Sequence, residues 1–287
     1  MLQRSTIQLL RFHFSVFLMP VYWFALSVTE QINIPRAILV FLILHGLVYP
    51  SSNGYNSYMD RDEGSIGGVA KPMQPTRQLF LASVTMDIVA IILSFWVSTI
   101  FAGCVFLYII CSRLYSFRGI RLKQFPILGY LIVMLVQGAL TFFMVYHGSD
   151  LNLATDVPWL PILSASFLIG GFYPITQIYQ HQADREDGVT TISMLLGKKG
   201  TFLFCAGMYG IAMLLLWFFY LGNEQTDSFL ILLVLFFPVV LYFSQWFFLV
   251  LRDESNADFE HTMTMNWLAS ICTNIAFITI ILLNKFG

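Results

Sequence analysis

Charge is scarce in this chain. Only 11% of its 287 residues are Asp, Glu, Lys or Arg, against about 25% in soluble domains. Hydrophobic residues make up 57%, and the mean hydropathy is +0.74. A single water-soluble core cannot hide so much apolar surface, so a polytopic α-helical membrane protein is expected. The net charge of −1 offers no basic face for nucleic acid. Cysteine is equally sparse. Cys104, Cys111, Cys205 and Cys272 all lie in apolar stretches without a CxxC pair. That excludes a zinc ribbon or a disulfide framework. No linker-rich break and no low-complexity run divides the chain, so residues 1–287 are read as one transmembrane domain. The first apolar stretch contains Arg11, His13 and Pro20 and no small-residue cleavage site. It reads as a retained span, not as a signal peptide.

A spanning helix needs about 20 apolar residues. Nine stretches qualify, near 9–28, 36–58, 79–97, 99–116, 126–146, 159–182, 201–221, 228–250 and 264–284. With nine spans, almost every basic residue falls on one side of the membrane. Arg4 and Arg11 precede or open the first span; Arg61, Lys71 and Arg77 join spans 2 and 3. Arg113, Arg118, Arg121 and Lys123 sit at the 4–5 connection, Arg185, Lys198 and Lys199 after span 6, and Arg252 after span 8. The other side holds Arg36 and Lys285. This asymmetry predicts a cytoplasmic N-terminus.

Two acidic runs stand out on that side. In "NGYNSYMDRDEG", Asn56, Asp60 and Glu63 recur at helical spacing, while Asp62 points elsewhere. In "YPITQIYQHQADREDG", Gln177, Gln180, Asp184 and Asp187 share a helical face. Were spans 2 and 6 to face one cavity, the converging carboxylates would repel unless a cation neutralised them. Hard oxygen ligands of this kind suit Mg²⁺, which keeps waters and binds substrate phosphates. Arg118, Arg121 and Lys123, with Lys71 and Arg11, then read as a diphosphate clamp. The plainer alternatives are solvated helix ends for the acids and the positive-inside rule for the cations. A metal-bound diphosphate is a good leaving group, and aromatic faces shield the cation it leaves behind. Tyr55, Tyr58, Tyr115, Tyr173 and Tyr179 are the candidates.

These runs resemble the UbiA superfamily of intramembrane prenyltransferases, whose first motif reads approximately NxxxDxxxD and whose second reads approximately DxxxD. Asn56 and Asp60 match the first, and Asp184 with Gly188 and Thr191 matches the second. "YSFRGIRLK" is similar to the basic segment between helices 4 and 5. Gly64 stands where the last acid of motif 1 is expected, and Gln180 where the first acid of motif 2 is expected. Glu63 and Asp187 are the proposed replacements by helical phase. The resemblance implies nine transmembrane helices around a central cavity, with Asp60 and Asp184 as the primary catalytic ligands. Asn56, Glu63, Gln180 and Asp187 complete the Mg²⁺ set. It implies transfer of a prenyl group from a prenyl diphosphate to an aromatic or lipid-like acceptor, in a bacterial inner membrane. A transporter that uses polar helix ends and a non-catalytic lipid-binding member of the family are the competing readings. Asp87, in the middle of span 3, reads as a hydrogen-bonding partner for another helix or as a group for acceptor binding or proton handling. Gln137, Asn266 and Asn274 read as interhelical glue. His13 and His45 read as packed histidines, with a role as bases as the alternative.

Overall fold

The computed structural model describes residues 2–286. Apart from two isolated bridges, their regular structure is entirely helical. Eight helices are long and apolar enough to cross a membrane: α1 (Arg4–Val28), α2 (Ile34–Asp60), α3 (Arg77–Ser94), α4 (Thr99–Ser116), α5 (Pro126–Ser149), α8 (Ile192–Gly222), α9 (Thr226–Arg252) and α10 (Phe259–Phe286). The ninth apolar helix, α6 (Trp159–Ile175), is shorter, and a short α7 (His181–Glu186) follows it. The chain is an integral membrane protein. Large apolar side chains such as Val234, Phe237 and Phe248 on α9 are exposed, as a lipid-facing surface requires. Inside, Phe24 of α1 stacks on Phe277 of α10 at 4.6 Å and meets Phe142 of α5 edge-on at 4.9 Å.

Several helices depart from the expected spans: α8 begins at Ile192, not near 201, and kinks at Gly197 (φ +66°), and α10 begins at Phe259, not near 264. α1 begins at Arg4, not near residue 9, and breaks at Arg11, whose φ is +48°. It continues as a 3₁₀ turn through Phe12–Phe17 before resuming at Met19. α2 contains a wide π turn at Leu42–Val48. That turn lies just ahead of Pro50, whose ring would press on the carbonyl of residue 46 in a regular α-helix. α6 stops at Ile175, although 159–182 was expected to be continuous. Pro174 cannot donate to the ladder, and Thr176 donates its hydroxyl to the Tyr173 carbonyl at 2.7 Å. Residues 176–180 then run as tight i→i−3 turns.

Glycine allows the bundle to close around α6. A Cβ on Gly138 of α5 would lie 2.5 Å from the Ser166 Cα, and one on Gly170 would lie 2.6 Å from the Tyr130 hydroxyl. Such close backbone approach replaces the hydrophobic drive that is missing between helices in lipid. The connections gather at two ends. At one, Asn33 N–H donates to the Ser149 carbonyl at 2.8 Å, and Lys285 Nζ donates to the Glu30 carbonyl at 3.2 Å. At the other meet the 2–3, 4–5, 6–7 and 8–9 connections, including Lys198 Nζ donating to the Glu254 carbonyl at 2.8 Å.

Candidate functional site

A cavity of about 210 Å³ opens at this second end. α2 supplies its first wall. The helix ends at Asp60 because Arg61 turns into the left-handed region (φ +55°, ψ +40°). An acid at a helix C-terminus opposes the macrodipole, so Asp60 needs cations. Lys123 Nζ lies 2.7 Å from Asp60 Oδ2, and Arg121 lies 3.6 Å from Oδ1. Asn56 donates to Asp60 Oδ2 and to Ser116 Oγ of α4, both at 2.9 Å. One turn earlier, Ser52 and Ser112 hydroxyls meet at 2.6 Å. Equal steps of four on α2 and α4 therefore build a polar seam down the wall.

The second wall comes from the end of α6 and the turns after it. Tyr173 meets the Tyr115 hydroxyl and accepts from Gln177 Nε2 at 2.7 Å. Gln180, Asp184 and Tyr179 also line the cavity. The 2–3 connection folds across the mouth. Ile66 and Val69 exchange both backbone hydrogen bonds around Gly68, whose φ of +81° favours glycine. Arg11 reaches from the break in α1 to the carbonyls of Gly67 and Asn53, each at 3.3 Å.

The six expected metal ligands separate into two groups. Asn56, Asp60, Gln180 and Asp184 line the cavity. Glu63 does not: with α2 ended at Asp60, the helical phase that aligned it no longer applies, and its side chain is exposed. Asp62, expected to point away, lines the cavity in its place. Asp187 pairs with Arg121 and lies 3.6 Å from Arg118. It serves the connections, since α6 and α7 do not form the continuous helix that would turn it inward. Among the clamp residues, Lys123 and Arg11 line the cavity. Arg121 is buried between Asp60 and Asp187. Arg118 donates to the Met59 carbonyl at 2.6 Å and to the Asp60 carbonyl at 3.1 Å. Lys71 is exposed and outside the cavity lining. Tyr55 and Tyr58 also face elsewhere, Tyr55 against Arg113 and Tyr58 against Phe80.

Sequence reasoning missed Asp62. The run "GSIGG" just beyond it signals a turn and would have argued against extending the helix. It also placed Arg113 in a connection. Arg113 lies in the last turn of α4 and ion-pairs with Asp87 of α3. Ser51 bonds both partners, and the guanidinium lies 4.1 Å from the Tyr55 ring centroid. Of the two expected roles of Asp87, this is the interhelical partner.

Charge is unevenly matched in the cavity. Burial pushes the Asp184 carboxyl up to about 7; Lys123 opposes the shift, while Asp62, Asp60 and Asp187 add to it. Burial also raises Asp62, and the negative charge of Asp60 reinforces the rise. Asp184 Oδ2 and Gln177 Oε1 are buried without a hydrogen-bond partner, and Asp60 Oδ1 has only Arg121, at 3.6 Å. Buried acceptors in this state seek a donor or a cation. They are hard oxygens, as Mg²⁺ prefers. Among the described residues, no three His, Cys, Asp or Glu side chains converge tightly enough to enclose a metal by themselves.

The fold recurs in solved structures. A UbiA homolog from Archaeoglobus fulgidus bound to GPP and Mg²⁺ is 19% identical, with a TM-score of 0.72 over 96% of this chain and 99% of that one. The apo UbiA homolog from Aeropyrum pernix K1 is 18% identical, with a TM-score of 0.68 over 94% and 98%. A digeranylgeranylglyceryl phosphate synthase is 17% identical, with a TM-score of 0.60 over 97% of each chain. No curated protein gives a significant match. The UbiA prenyltransferase family matches residues 17–269, a region that contains both acidic runs and the basic segment between them. The chain belongs to the UbiA prenyltransferase family.

Proposed function

We propose that the protein transfers a prenyl group from a prenyl diphosphate to an aromatic or lipid-like acceptor within the membrane. The observation that carries this reading is the pairing of unsatisfied oxygens on Asp60 and Asp184 with Lys123 and Arg11 around one cavity. Further in, Leu18, Val133, Val136 and Phe172 make the wall mostly apolar, with Gln137 among them. A diphosphate suits the charged mouth, and its hydrocarbon suits the interior. The A. fulgidus homolog bound to GPP and Mg²⁺ supports the same donor class and metal here.

Asp60, Asp62 and Asp184, with Asn56 and Gln180, would hold Mg²⁺. The ion, when bound, neutralises the charge that builds on the departing diphosphate. Lys123 and Arg11 bind the phosphate oxygens and fix the leaving group at the mouth. When the allylic C–O bond breaks, its electron pair leaves with the diphosphate. Tyr115, Tyr173 and Tyr179 line the cavity and present π faces to the carbocation. The apolar wall excludes water, which would otherwise capture it. The acceptor then forms the new bond to that carbon and gives up a proton to the released diphosphate. The basic residues at this end support placing the mouth and the N-terminus on the cytoplasmic side of the membrane.

The reading is tested with the purified protein in lipid vesicles, supplied with Mg²⁺, geranyl diphosphate and a panel of aromatic and lipid-like acceptors. Release of diphosphate that stops on chelation is expected. Movement of solute across the vesicle without any diphosphate release would instead identify a transporter.

A further inference from the structure

A second cavity of about 50 Å³ lies beside the first, bounded by α1, α6, α8, α9 and α10. It shares a wall with the candidate site. Leu18 lines the first cavity and its neighbour Phe17 the second, and Phe172 lines both. Along α6 toward its N-terminus, the lining changes from Gln177 and Tyr173 to Phe172 and then to Ile169 and Leu168. We infer that the second cavity receives the distal isoprene units of the donor, and that Phe172 sets how long a prenyl chain the enzyme accepts. The inference rests on the prenyltransferase reading and adds the residue that selects among donors.

Three observations favour a hydrocarbon occupant. The cavity continues from the apolar wall of the first, on the side away from the carboxylates. Its lining is apolar or aromatic except for the hydroxyls of Ser270, Thr273 and Tyr209. Thr273 donates to the Ala269 carbonyl at 2.6 Å, while Ser270 Oγ is buried without a partner. Apart from that one hydroxyl a polar acceptor would find few partners here, whereas an alkenyl chain needs none. The wall itself is fixed. A Cβ on Gly171 would lie 3.0 Å from the Tyr209 ring and 3.2 Å from the Cys205 carbonyl, and one on Gly170 would lie 2.6 Å from the Tyr130 hydroxyl. α6 is thus pressed against α5 and α8, and cannot shift to widen the passage. The bulk of the side chain at position 172 decides it.

The test is binding of geranyl, farnesyl and geranylgeranyl diphosphate to the full-length protein with Mg²⁺. The quantity read is the ratio of Kd for the shortest donor to Kd for the longest. Phe172→Ala joins the cavities, and the ratio should rise about tenfold, the effect of about two further buried methylene groups. Phe172→Leu should move it the same way by less, and serves if the alanine variant does not fold. Ala269→Leu narrows the second cavity and should lower the ratio. A ratio unmoved by Phe172→Ala and Phe172→Leu would overturn the inference. So would an Ala269→Leu variant that weakens all three donors equally or none of them. In both cases the wild type still binds donor, so the prenyltransferase reading stands. Failure of the wild type to bind any of the three would sink that reading and this inference together.

Discussion

Asp62 and Glu63 are neighbours in the chain and face opposite surroundings. Asp62 is half-buried in the cavity lining beside Asp60, while Glu63 is exposed beyond the helix end. Asp62→Ala should therefore cut donor turnover by about 10²-fold, the scale of one lost electrostatic partner, and Glu63→Ala by less than about twofold. Steady-state diphosphate release checks both, and the reverse order would restore the continuous helix expected from sequence. Asp184 supplies a pH dependence. The unfolded chain loses this proton near pH 4, whereas burial holds it in the folded chain to about 7. Between those values the folded state carries the extra proton, so stability falls as pH rises. Without Mg²⁺, the Tm should be lower at about pH 8 than at about pH 5, and Asp184→Asn should narrow the difference. An undiminished difference in the variant would assign the effect to other groups.

Buried ion pairs tie elements together at two points. Arg113 of α4 holds Asp87 of α3 between membrane spans. Arg113→Ala leaves a buried carboxylate unpaired, which should cost about 3 kcal/mol or more. Arg113→Met combined with Asp87→Leu should recover most of that loss in thermal unfolding. A double variant no better than the single one would show that packing, not charge, governs the site. Arg121 performs the corresponding task between connections, where it bridges Asp60 and Asp187. The sequence made the elements legible wherever hydrophobic runs of membrane length occur, as in α3, α4 and α9. It left unresolved where helices stop inside polar runs. Nothing in "MDRDEG" reveals that Arg61 adopts φ +55°, since a left-handed arginine is set by its tertiary surroundings. The end of α6 at Ile175 was partly visible in Pro174, which is compatible either with a kink or with a stop. Asn56, Asp60, Gln180 and Asp184 reach the cavity because they lie at or near the helix ends and turns that frame it. Glu63 and Asp187 miss it because helical phase was extended past those ends.

The whole molecule joins the 2–3, 4–5 and 6–7 connections at one end of the bundle, with Gln180 Nε2 of the 6–7 connection donating to the Ser65 carbonyl of the 2–3 connection at 3.4 Å. Reporter fusions in the 2–3 and 6–7 connections should therefore read the same side of the membrane. Opposite readings would break the shared site. The central claim is that acids from two distant segments act on a single metal-bound diphosphate. It is tested most directly by measuring Mg²⁺-dependent diphosphate release from geranyl diphosphate, with the acceptor panel present, by wild type, Asp60→Ala, Asp184→Ala and the double variant, each verified as folded by its Tm. Both single variants should lose at least about 10²-fold in rate. Removing both acids should cost little more than removing one, as residues acting as a unit do. Near-wild-type release by either single variant, or losses that simply multiply in the double variant, would contradict it.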